Sequence, residues 1–475
     1  MTDQALLKMS IAEISPKIKA REISPVELTD AALAQAERLQ PALVSFITML
    51  PERARAQAKK REEAIARGEY RGPLDGIPIG IKDNLATAGI RTTVGSKVLT
   101  SNVPDEDAFV VQRVQEAGAI ILGKENMHEW AAGGTSANPH YGAVRNPWNT
   151  DHVPGGSSGG SAANVATGVT FASLGTDLAG SVRGPASYCG LVGMKQTYGR
   201  VSQRGLLGTH HNGDHIGPLT RTTLDNALVL QIMAGHDPLD PTTMPVPVPD
   251  FTAEIGKGLS GIKIGVPTNY YFDLVDPEVE SAVRQAISVL SELGAEVREV
   301  RLDTLDHADL LRVSAAAEGY LVHEQYLEDQ RDDYSPDLVA RYLSGSFVMA
   351  KDYIKSLKLQ RLVQEDFART FQQVDLIVTP TNATTAPVSG SPTVTINGEA
   401  FKLIQPGTNI GVRNTHISNS TGLPTVSIPC GITPAGLPVG LQLIGRPFEE
   451  PLMYRAASAY EEVSPSKGKI PAITG

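Results

Sequence analysis

Short apolar segments with the character of buried strands recur along this chain, and segments of helical periodicity lie between them. Ile77, Ile79 and Ile81 alternate with smaller residues at period two, which is typical of a strand. Residues 279–290 place apolar side chains at a spacing near one helical turn, which is typical of a helix. Similar strand-like runs lie at 119–123, 262–267, 375–380, 425–430 and 439–445. This alternation predicts an α/β fold whose mixed, largely parallel central sheet is covered by helices on both faces.

The alternation resumes after every irregular stretch, so we predict a single domain over residues 1–475. The proline-rich stretch 238–250 is then a surface loop rather than a linker. Residues 1–68 form an N-terminal helical part of this domain; Ser10 with Glu13 has the spacing of a capping box. Residues 306–372 are also mostly helical, and we expect this insertion to cover the functional site.

Net charge, cysteine content and the lack of long apolar runs limit the partners and the compartment that we expect for this protein. The net charge is −10, which argues against nucleic acid or an anionic membrane as a main partner. The two cysteines lack any CxxC spacing, so a zinc ribbon is excluded and a reducing compartment fits. The N-terminus has no signal-peptide pattern, and no apolar run is long enough to span a bilayer. We therefore expect a cytoplasmic protein without a membrane or nucleic-acid partner.

Two glycine-flanked serines, Ser157 and Ser181, lie in one segment, PGGSSGGSAANVATGVTFASLGTDLAGSVR at residues 154–183. Glycine beside serine lets a substrate approach the backbone and frees N–H groups to point at it. A serine hydroxyl needs a base to become a nucleophile, and Lys82 at the end of a predicted strand can serve if burial lowers its pKa. The residues alone also allow structural roles: a glycine turn, an Asp177–Arg183 pair and a lysine that reaches solvent.

This segment closely resembles the signature block of the amidase signature family, and GPLDGIPIGIKDN at 72–84 resembles the lysine motif of that family. The similarity continues through 123–148, 213–222, GLPTVSIPCG and GLPVGLQLIGRP, so it covers nearly the whole chain. The resemblance implies a Ser–cisSer–Lys triad. Ser181 would be the nucleophile, Ser157 the bridging serine after a cis peptide bond, and Lys82 the terminal base.

The resemblance also implies roles for the residues around the triad. Backbone N–H groups would form the oxyanion hole, namely those of Leu178, Ala179, Gly180 and Ser181. Three side chains would support the loop, namely Ser158, Asp177 and Arg183. The substrate pocket would include Trp130, Gly133, Gly134 and His210. The family usually has two glycines before the nucleophile, and Ala179 replaces one of them, which requires a negative φ at that position. No metal or other cofactor is expected.

The predicted function is a serine amidohydrolase that acts on a small molecule through an acyl-enzyme and yields an acid plus an amine or ammonia. Amide, aryl amide, ester and carbamate bonds remain open, because all of them react through a tetrahedral oxyanion. The family leads us to expect a homodimer. The roles of His210, His211 and His215 are open between pocket, metal site and loop surface.

Two alternative functions are weighed against this prediction. The sequence also resembles the glutamine-hydrolysing component of glutamyl-tRNA(Gln) amidotransferase, its A subunit, which must hold both charged ends of glutamine. Arg361 is a candidate for the cationic group, but GVRNTHISNST at 411–421 lacks the aspartate expected there. A catalytically inactive scaffold is the second alternative, and it is disfavoured because Lys82, Ser157 and Ser181 are all present.

Overall fold

The structure is a computed structural model that describes residues 2–208, 213–403 and 409–473. In these ranges the helices are α1 Asp3–Lys8, α2 Ile11–Lys19, α3 Pro25–Leu43, α4 Pro51–Ala66, α5 Phe109–Glu116, α6 Gly159–Ala166, α7 Arg183–Cys189, α8 Thr223–Met233, α9 Pro277–Glu292, α10 Arg312–Asp329, α11 Pro336–Gly345, α12 Ala350–Thr370, α13 His416–Thr421 and α14 Glu450–Val463. None of these helices is long and apolar enough to cross a membrane.

The strands of the same ranges are β1 Phe46–Met49, β2 Pro78–Lys82, β3 Ile120–Glu125, β4 Ala137–Asn138, β5 Gly142–Ala143, β6 Ala172–Thr176, β7 Val192–Lys195, β8 Ile216–Thr220, β9 Lys263–Pro267, β10 Glu296–Val300, β11 Leu376–Pro380, β12 Thr393–Ile396, β13 Glu399–Lys402, β14 Thr425–Ile432 and β15 Pro438–Gly445. Eleven of them form one sheet in the order β1-β3-β2-β6-β8-β7-β14-β15-β11-β9-β10. The pairs β4–β5 and β12–β13 form separate two-stranded ribbons.

The predicted mixed α/β class is confirmed, with less parallel pairing than expected. Four neighbouring pairs are parallel: β3–β2, β2–β6, β11–β9 and β9–β10. The six remaining pairs of the large sheet are antiparallel. The difference arises in the middle of the sheet, where consecutive strands such as β14 and β15 are joined by a short turn and therefore run in opposite directions.

The two faces of the sheet bury different kinds of residue. On one face, called the apolar face, Leu174, Met194 and Leu443 enter the main hydrophobic core, which also takes in apolar residues of α8, α9 and α14. Residues at the alternate positions, such as Ser173 and Gly175, turn to the other face, because successive side chains of a strand point to opposite sides. Helices α6 and α7 cover this second face, called the site face.

Glycines in the strands let α7 lie close against the site face. A Cβ atom at Gly193 of β7 would stand 2.7 Å from Ala186 Cβ, and one at Gly440 of β15 would stand 2.6 Å from Ser187 Oγ. Both distances are shorter than real contacts between such atoms, so a larger residue at either strand position would displace the helix. Since α7 follows directly on Ser181 and Val182, these glycines also fix the height of that segment above the sheet.

Two peripheral parts complete the fold. The N-terminal part contains α1–α4, and it also contributes β1, which pairs antiparallel with β3 at the edge of the sheet. The sequence pattern predicts a helical part over residues 1–68, so this strand is a difference from expectation. In the insertion, a 3-10 helix at Asp303–Leu311 leads into α10, α11 and α12. Helix α10 packs against α11 and α12, and both α10 and α12 pack against the short helix.

Candidate active site

The carboxyl ends of β2 and β6 lie side by side, because these strands are parallel neighbours in the sheet. Lys82 ends β2 and Thr176 ends β6. The Lys82 Nζ atom is 2.7 Å from Thr176 Oγ1 and 2.7 Å from Ser157 Oγ. Thr176 Oγ1 also accepts a hydrogen bond from Asn84 Nδ2 at 3.1 Å. The lysine is thus held at the strand ends where α/β sheets commonly bind ligands.

Lys82 is fully buried. Burial lowers its pKa to about 7, although the negative charges of Asp214 and Asp177 act in the opposite direction. A large fraction of this side chain is therefore uncharged at neutral pH. An uncharged amine can accept a proton from the Ser157 hydroxyl, so Lys82 has the charge state that a general base requires.

Ser157 is also fully buried, and the peptide bond between Gly156 and Ser157 is cis. Its carbonyl oxygen accepts hydrogen bonds from the His128 N–H at 3.1 Å and from Ser136 Oγ at 3.3 Å. The loop at Gly133 and Gly134 lies directly against Gly156, where a Cβ atom would stand 2.6 Å from the Gly133 oxygen. These contacts hold the Ser157 hydroxyl against Lys82.

Ser181 lies between β6 and α7 and is partly accessible. The Ser158 N–H donates to the Ser181 carbonyl oxygen at 3.3 Å, which ties the two serine segments together. The Ser158 hydroxyl also donates to the Thr176 carbonyl oxygen at 3.3 Å. The structure thus brings the segments of all three predicted triad residues together, and Ser181 is the most exposed of the three.

The turn before Ser181 resolves the question raised by Ala179. Gly180 has a φ of +118°, a region that favours glycine, and a Cβ there would stand 2.2 Å from Thr415 Oγ1. Ala179 does not have a positive φ, so alanine fits. Its carbonyl oxygen accepts a hydrogen bond from Thr415 Oγ1 at 2.5 Å.

The predicted oxyanion hole differs from the structure at Gly180. The Gly180 N–H donates to Asp177 Oδ1 at 2.8 Å and is therefore not free to bind a substrate oxygen in this arrangement. Within the described residues, the N–H groups of Leu178, Ala179 and Ser181 have no acceptor in the protein. These three are the donors that remain for an oxyanion.

Asp177 and Arg183 form a buried ion pair beneath this turn. The guanidinium donates from Nε to Asp177 Oδ2 at 3.0 Å and from Nη2 to Oδ1 at 2.9 Å. Asn419 Nδ2 and the N–H groups of Gly180 and Val182 also donate to the carboxylate. Burial favours a protonated Asp177, but the charge and hydrogen bonds of Arg183 outweigh it and hold the pKa well below the usual range. The carboxylate therefore fixes the shape of the turn that carries Ser181.

Trp130 is buried beneath the helical insertion. Its ring packs edge-on against His323 with centroids 4.6 Å apart and stacks on Tyr334 at 6.0 Å. The indole therefore joins the insertion to the body of the protein. Gly133 is in contact with the His128 ring, whereas Gly134 has open space beside its α-carbon. Of the predicted pocket residues that the structure describes, Gly134 is the one with open space beside it.

His215 lies behind the site and exchanges backbone hydrogen bonds with Asp177 in both directions. Its Nδ1 is 2.6 Å from the Gly213 oxygen, and its Nε2 is 3.2 Å from Lys195 Nζ. Burial lowers the pKa of His215 well below its usual value, so the ring is neutral. His210 and His211 lie outside the described residues. Among the residues that are described, no group of His, Cys, Asp or Glu is arranged to hold a metal ion.

The sequence interpretation overlooks three polar residues that contact the catalytic turn or the lysine, namely Thr176, Thr415 and Asn419. Thr176 directly precedes Asp177, so its position at a strand end next to the nucleophile segment is a usable signal. Thr415 and Asn419 are more than two hundred residues distant in sequence from Ala179 and Asp177, which they contact. No local pattern in the sequence marks these two contacts.

Comparison with known proteins agrees with this geometry. The Amidase family model matches residues 27–453. The A subunit of glutamyl-tRNA(Gln) amidotransferase from Moorella thermoacetica is 40% identical over 96% of this chain and 97% of its own length. The crystal structure of the corresponding protein from Thermotoga maritima is 33% identical, covers 98% of this chain and 97% of that one, and has a TM-score of 0.79.

The structure of a bacterial aryl acylamidase of the amidase signature family is 29% identical, covers 98% of each chain and has a TM-score of 0.87. The family match spans nearly the whole of the sequence, as the predicted resemblance does. The prediction of an amidase is therefore confirmed, and this chain belongs to the amidase family.

Proposed function

We propose that this enzyme is a stand-alone serine amidohydrolase that cleaves the amide bond of a small molecule through an acyl-enzyme. The observation that supports this most strongly is the buried hydrogen bond of 2.7 Å between Lys82 Nζ and Ser157 Oγ, next to the accessible Ser181. A lysine whose pKa is about 7 can take a proton at neutral pH. A serine between it and the nucleophile can pass that proton on.

In the proposed reaction, Ser181 Oγ attacks the amide carbonyl and transfers its proton to Ser157, which transfers its own proton to Lys82. The carbonyl oxygen becomes an oxyanion that the N–H groups of Leu178, Ala179 and Ser181 bind. The same path in reverse protonates the leaving amine. Water then attacks the ester of Ser181 with the same base, and the acid leaves. Ser158, Asp177 and Arg183 hold the two serine segments in place.

The glutamine-hydrolysing component of glutamyl-tRNA(Gln) amidotransferase remains a second candidate, because the A subunit of that enzyme from Moorella thermoacetica is 40% identical to this chain. Two observations favour the stand-alone enzyme. The Arg361 side chain is 82% exposed and pairs with Glu365, so the cation expected for glutamine does not face the site. Residues 411–421 contain no carboxylate.

The test is a screen of an anilide, aliphatic amides, a carbamate and glutamine with the purified chain alone. We expect at least one simple amide to be hydrolysed with a kcat/KM about 100-fold above that for glutamine, since a glutamine site needs partners for both charged ends. Glutamine hydrolysis above all other substrates would favour the amidotransferase component instead.

The nucleophile is tested with a fluorophosphonate, which we expect to label Ser181 in the wild type. Ser181→Ala should lose labelling and lower kcat by about 10⁴- to 10⁶-fold, as for other serine nucleophiles. Ser288→Ala provides the matched control, because this serine lies on the exposed side of α9 and bonds only within that helix. Labelling of a different residue would move the nucleophile away from Ser181.

A further inference from the structure

Glu129 is a buried carboxylate that joins the helical insertion to the body of the protein. It begins a short 3-10 helix at Glu129–Ala131 and is fully buried. Its Oε1 atom accepts a hydrogen bond from Ser96 Oγ at 2.7 Å and lies 2.9 Å from His140 Nε2. Its Oε2 atom accepts one from the Ser335 N–H at 3.1 Å, at the start of α11. One carboxylate therefore holds two loops of the body and one helix of the insertion.

Residues 129–132, called the joint segment, make two further contacts with the insertion. The Trp130 ring stacks on Tyr334 with centroids 6.0 Å apart. The Ala132 carbonyl oxygen accepts a hydrogen bond from the guanidinium of Arg341 on α11. The insertion thus meets the joint segment through a carboxylate, an aromatic ring and a carbonyl group.

The joint segment has a backbone conformation that residues with side chains rarely adopt. The φ angles of Trp130 and Ala131 are +51° and +56°, in the left-handed region that favours glycine. Such a conformation is unfavourable for a residue with a Cβ atom, and it persists where neighbouring contacts over-determine it. The contacts of the insertion with Glu129 and Trp130 are among those that hold it here. Loss of these contacts is therefore expected to let the joint segment relax.

The chain on both sides of the joint segment holds the bridging serine. Before it, the His128 N–H donates to the Ser157 carbonyl oxygen at 3.1 Å. After it, the backbone lies against Gly156, where a Cβ atom would stand 2.6 Å from the Gly133 oxygen and 2.7 Å from the Thr135 nitrogen. A shift of the joint segment is therefore expected to move the peptide unit that carries Ser157.

A second path leads from the joint segment to the base. The Trp130 N–H donates to the Val94 carbonyl oxygen at 2.9 Å, and the Val94 N–H donates to the Asp83 carbonyl oxygen at 3.1 Å. Asp83 directly follows Lys82. The joint segment is thus connected to both partners of the hydrogen bond between Lys82 and Ser157.

We propose that Glu129 is a positioning residue, through which docking of the helical insertion sets the distance between Ser157 and Lys82. The insertion then controls the rate of proton transfer and not only the binding of substrate. A misplacement of about 1 Å can lower a rate by about 100-fold, so a small displacement of Ser157 is sufficient. The inference rests on the proposed path of the proton from Ser181 through Ser157 to Lys82, and it adds the residue that ties this path to the insertion.

The test uses Glu129→Ala, the amide that the wild type hydrolyses best, and phenylmethanesulfonyl fluoride as a small reagent for the serine. We expect kcat to fall by about 10- to 100-fold and KM to stay within about threefold. The rate at which the sulfonyl fluoride modifies Ser181 should fall by a similar factor, because this reaction needs the base but few contacts with the insertion. Glu328→Ala is the matched control: this glutamate of α10 is exposed, and both rates should stay unchanged.

The conservative variant Glu129→Gln should keep kcat within about threefold of the wild type, because its amide can replace all three contacts. The amide oxygen can accept from the Ser335 N–H. The amide NH2 then faces the Ser96 hydroxyl and the His140 ring, and both of these groups can accept a hydrogen bond instead of donating one. A kcat as low as that of Glu129→Ala would contradict the role given to these hydrogen bonds.

Ser335→Pro tests the insertion side of the same contact, and it decides the question if Glu129→Ala fails to fold. Ser335 has a φ of −65°, which is the angle that a proline ring imposes, and Tyr334 before it is extended, as residues before proline prefer. The substitution therefore fits the local backbone and removes the N–H that Glu129 accepts. We expect kcat and the modification rate to fall together by about tenfold, the effect of one hydrogen bond to a charged group.

The outcomes separate this inference from the proposed function. Circular dichroism identifies the variants that fold. In a folded variant, a raised KM with an unchanged rate of Ser181 modification would show that the insertion acts on substrate binding alone, which overturns the inference and leaves the amidase intact. Equal losses in Glu328→Ala would also overturn it. If wild-type Ser181 is not modified and no amide is hydrolysed, the proposed function fails and the inference fails with it.

Discussion

The same strands build the apolar face and the site face of the central sheet. The side chains that they place on the apolar face differ in polarity from those on the site face. On β6, Leu174 is buried in the main core, whereas its neighbour Ser173 donates to the buried carboxylate of Glu125 at 2.8 Å. On β2, Ile81 enters that core and Lys82 forms a hydrogen bond with Ser157 on the opposite face. One face consists of side chains whose burial is favourable, and the other of groups whose burial is unfavourable unless each finds a partner.

The difference suits the two faces to separate tasks: the apolar face stabilises the fold, and the site face holds buried ionisable groups. Burial raises the pKa of Glu125 to about 7 and lowers that of Lys82 to about 7, so burial shifts both of these groups towards their neutral forms. Moving the pKa of Lys82 from its usual value corresponds to about 4–5 kcal/mol at neutral pH. The apolar face offsets this cost, which allows the reactive groups to remain buried in a folded protein.

The largest effect is expected from a substitution on the site face that lowers activity and leaves stability nearly unchanged. Lys82→Met should lower kcat/KM by about 10⁴-fold, because the base is gone. The free energy of unfolding should stay within about 2 kcal/mol of the wild type, because the buried amine disappears together with its hydrogen bonds to Ser157 and Thr176. Activity assays and urea unfolding measure both quantities. A stability loss of more than about 4 kcal/mol would show that Lys82 stabilises the fold.

The second effect is expected from a substitution on the apolar face that lowers stability and leaves activity nearly unchanged. Leu174→Ala should reduce the free energy of unfolding by about 2–5 kcal/mol, since it leaves a cavity in the main core. The folded fraction should keep kcat/KM within about threefold. Leu219→Ala is the matched comparison: this leucine is equally buried but packs with Val182 on the site face. We expect it to lower both stability and catalysis, and identical profiles for the two variants would contradict the division between the faces.

The smallest effect is the pH dependence of kcat/KM, which tests whether Lys82 acts as the base. In the proposed mechanism the neutral amine is the active form, so kcat/KM should fall about tenfold for each pH unit below the pKa of Lys82 and reach a plateau above it. With a pKa of about 7, the bend should lie near neutral pH for a substrate that does not itself ionise. Rates measured between about pH 5 and 9 test this. A profile without a bend in that range would argue against lysine as the base.

Local sequence patterns predict the strand that carries Lys82, because Ile77, Ile79 and Ile81 alternate at period two and the motif ends at the lysine. They do not predict β1, whose four residues lie among helices and become a strand through pairing with the distant β3. The roles of Ser157 and Ser181 follow from family resemblance, since spacing alone leaves a structural turn open. The engagement of the Gly180 N–H by Asp177 depends on the path of the folded turn. The outward direction of Arg361 depends on which side of α12 faces the body.

The close approach of α7 to the sheet has a consequence for how such an enzyme can change. Gly193 and Gly440 leave no room for a side chain under α7, which follows directly on Ser181 and Val182, so a larger residue at either position is expected to change the distance of Ser181 from Lys82. A change of substrate preference is therefore expected to leave these two strand positions as glycine, because any larger residue there would move the turn that carries Ser181.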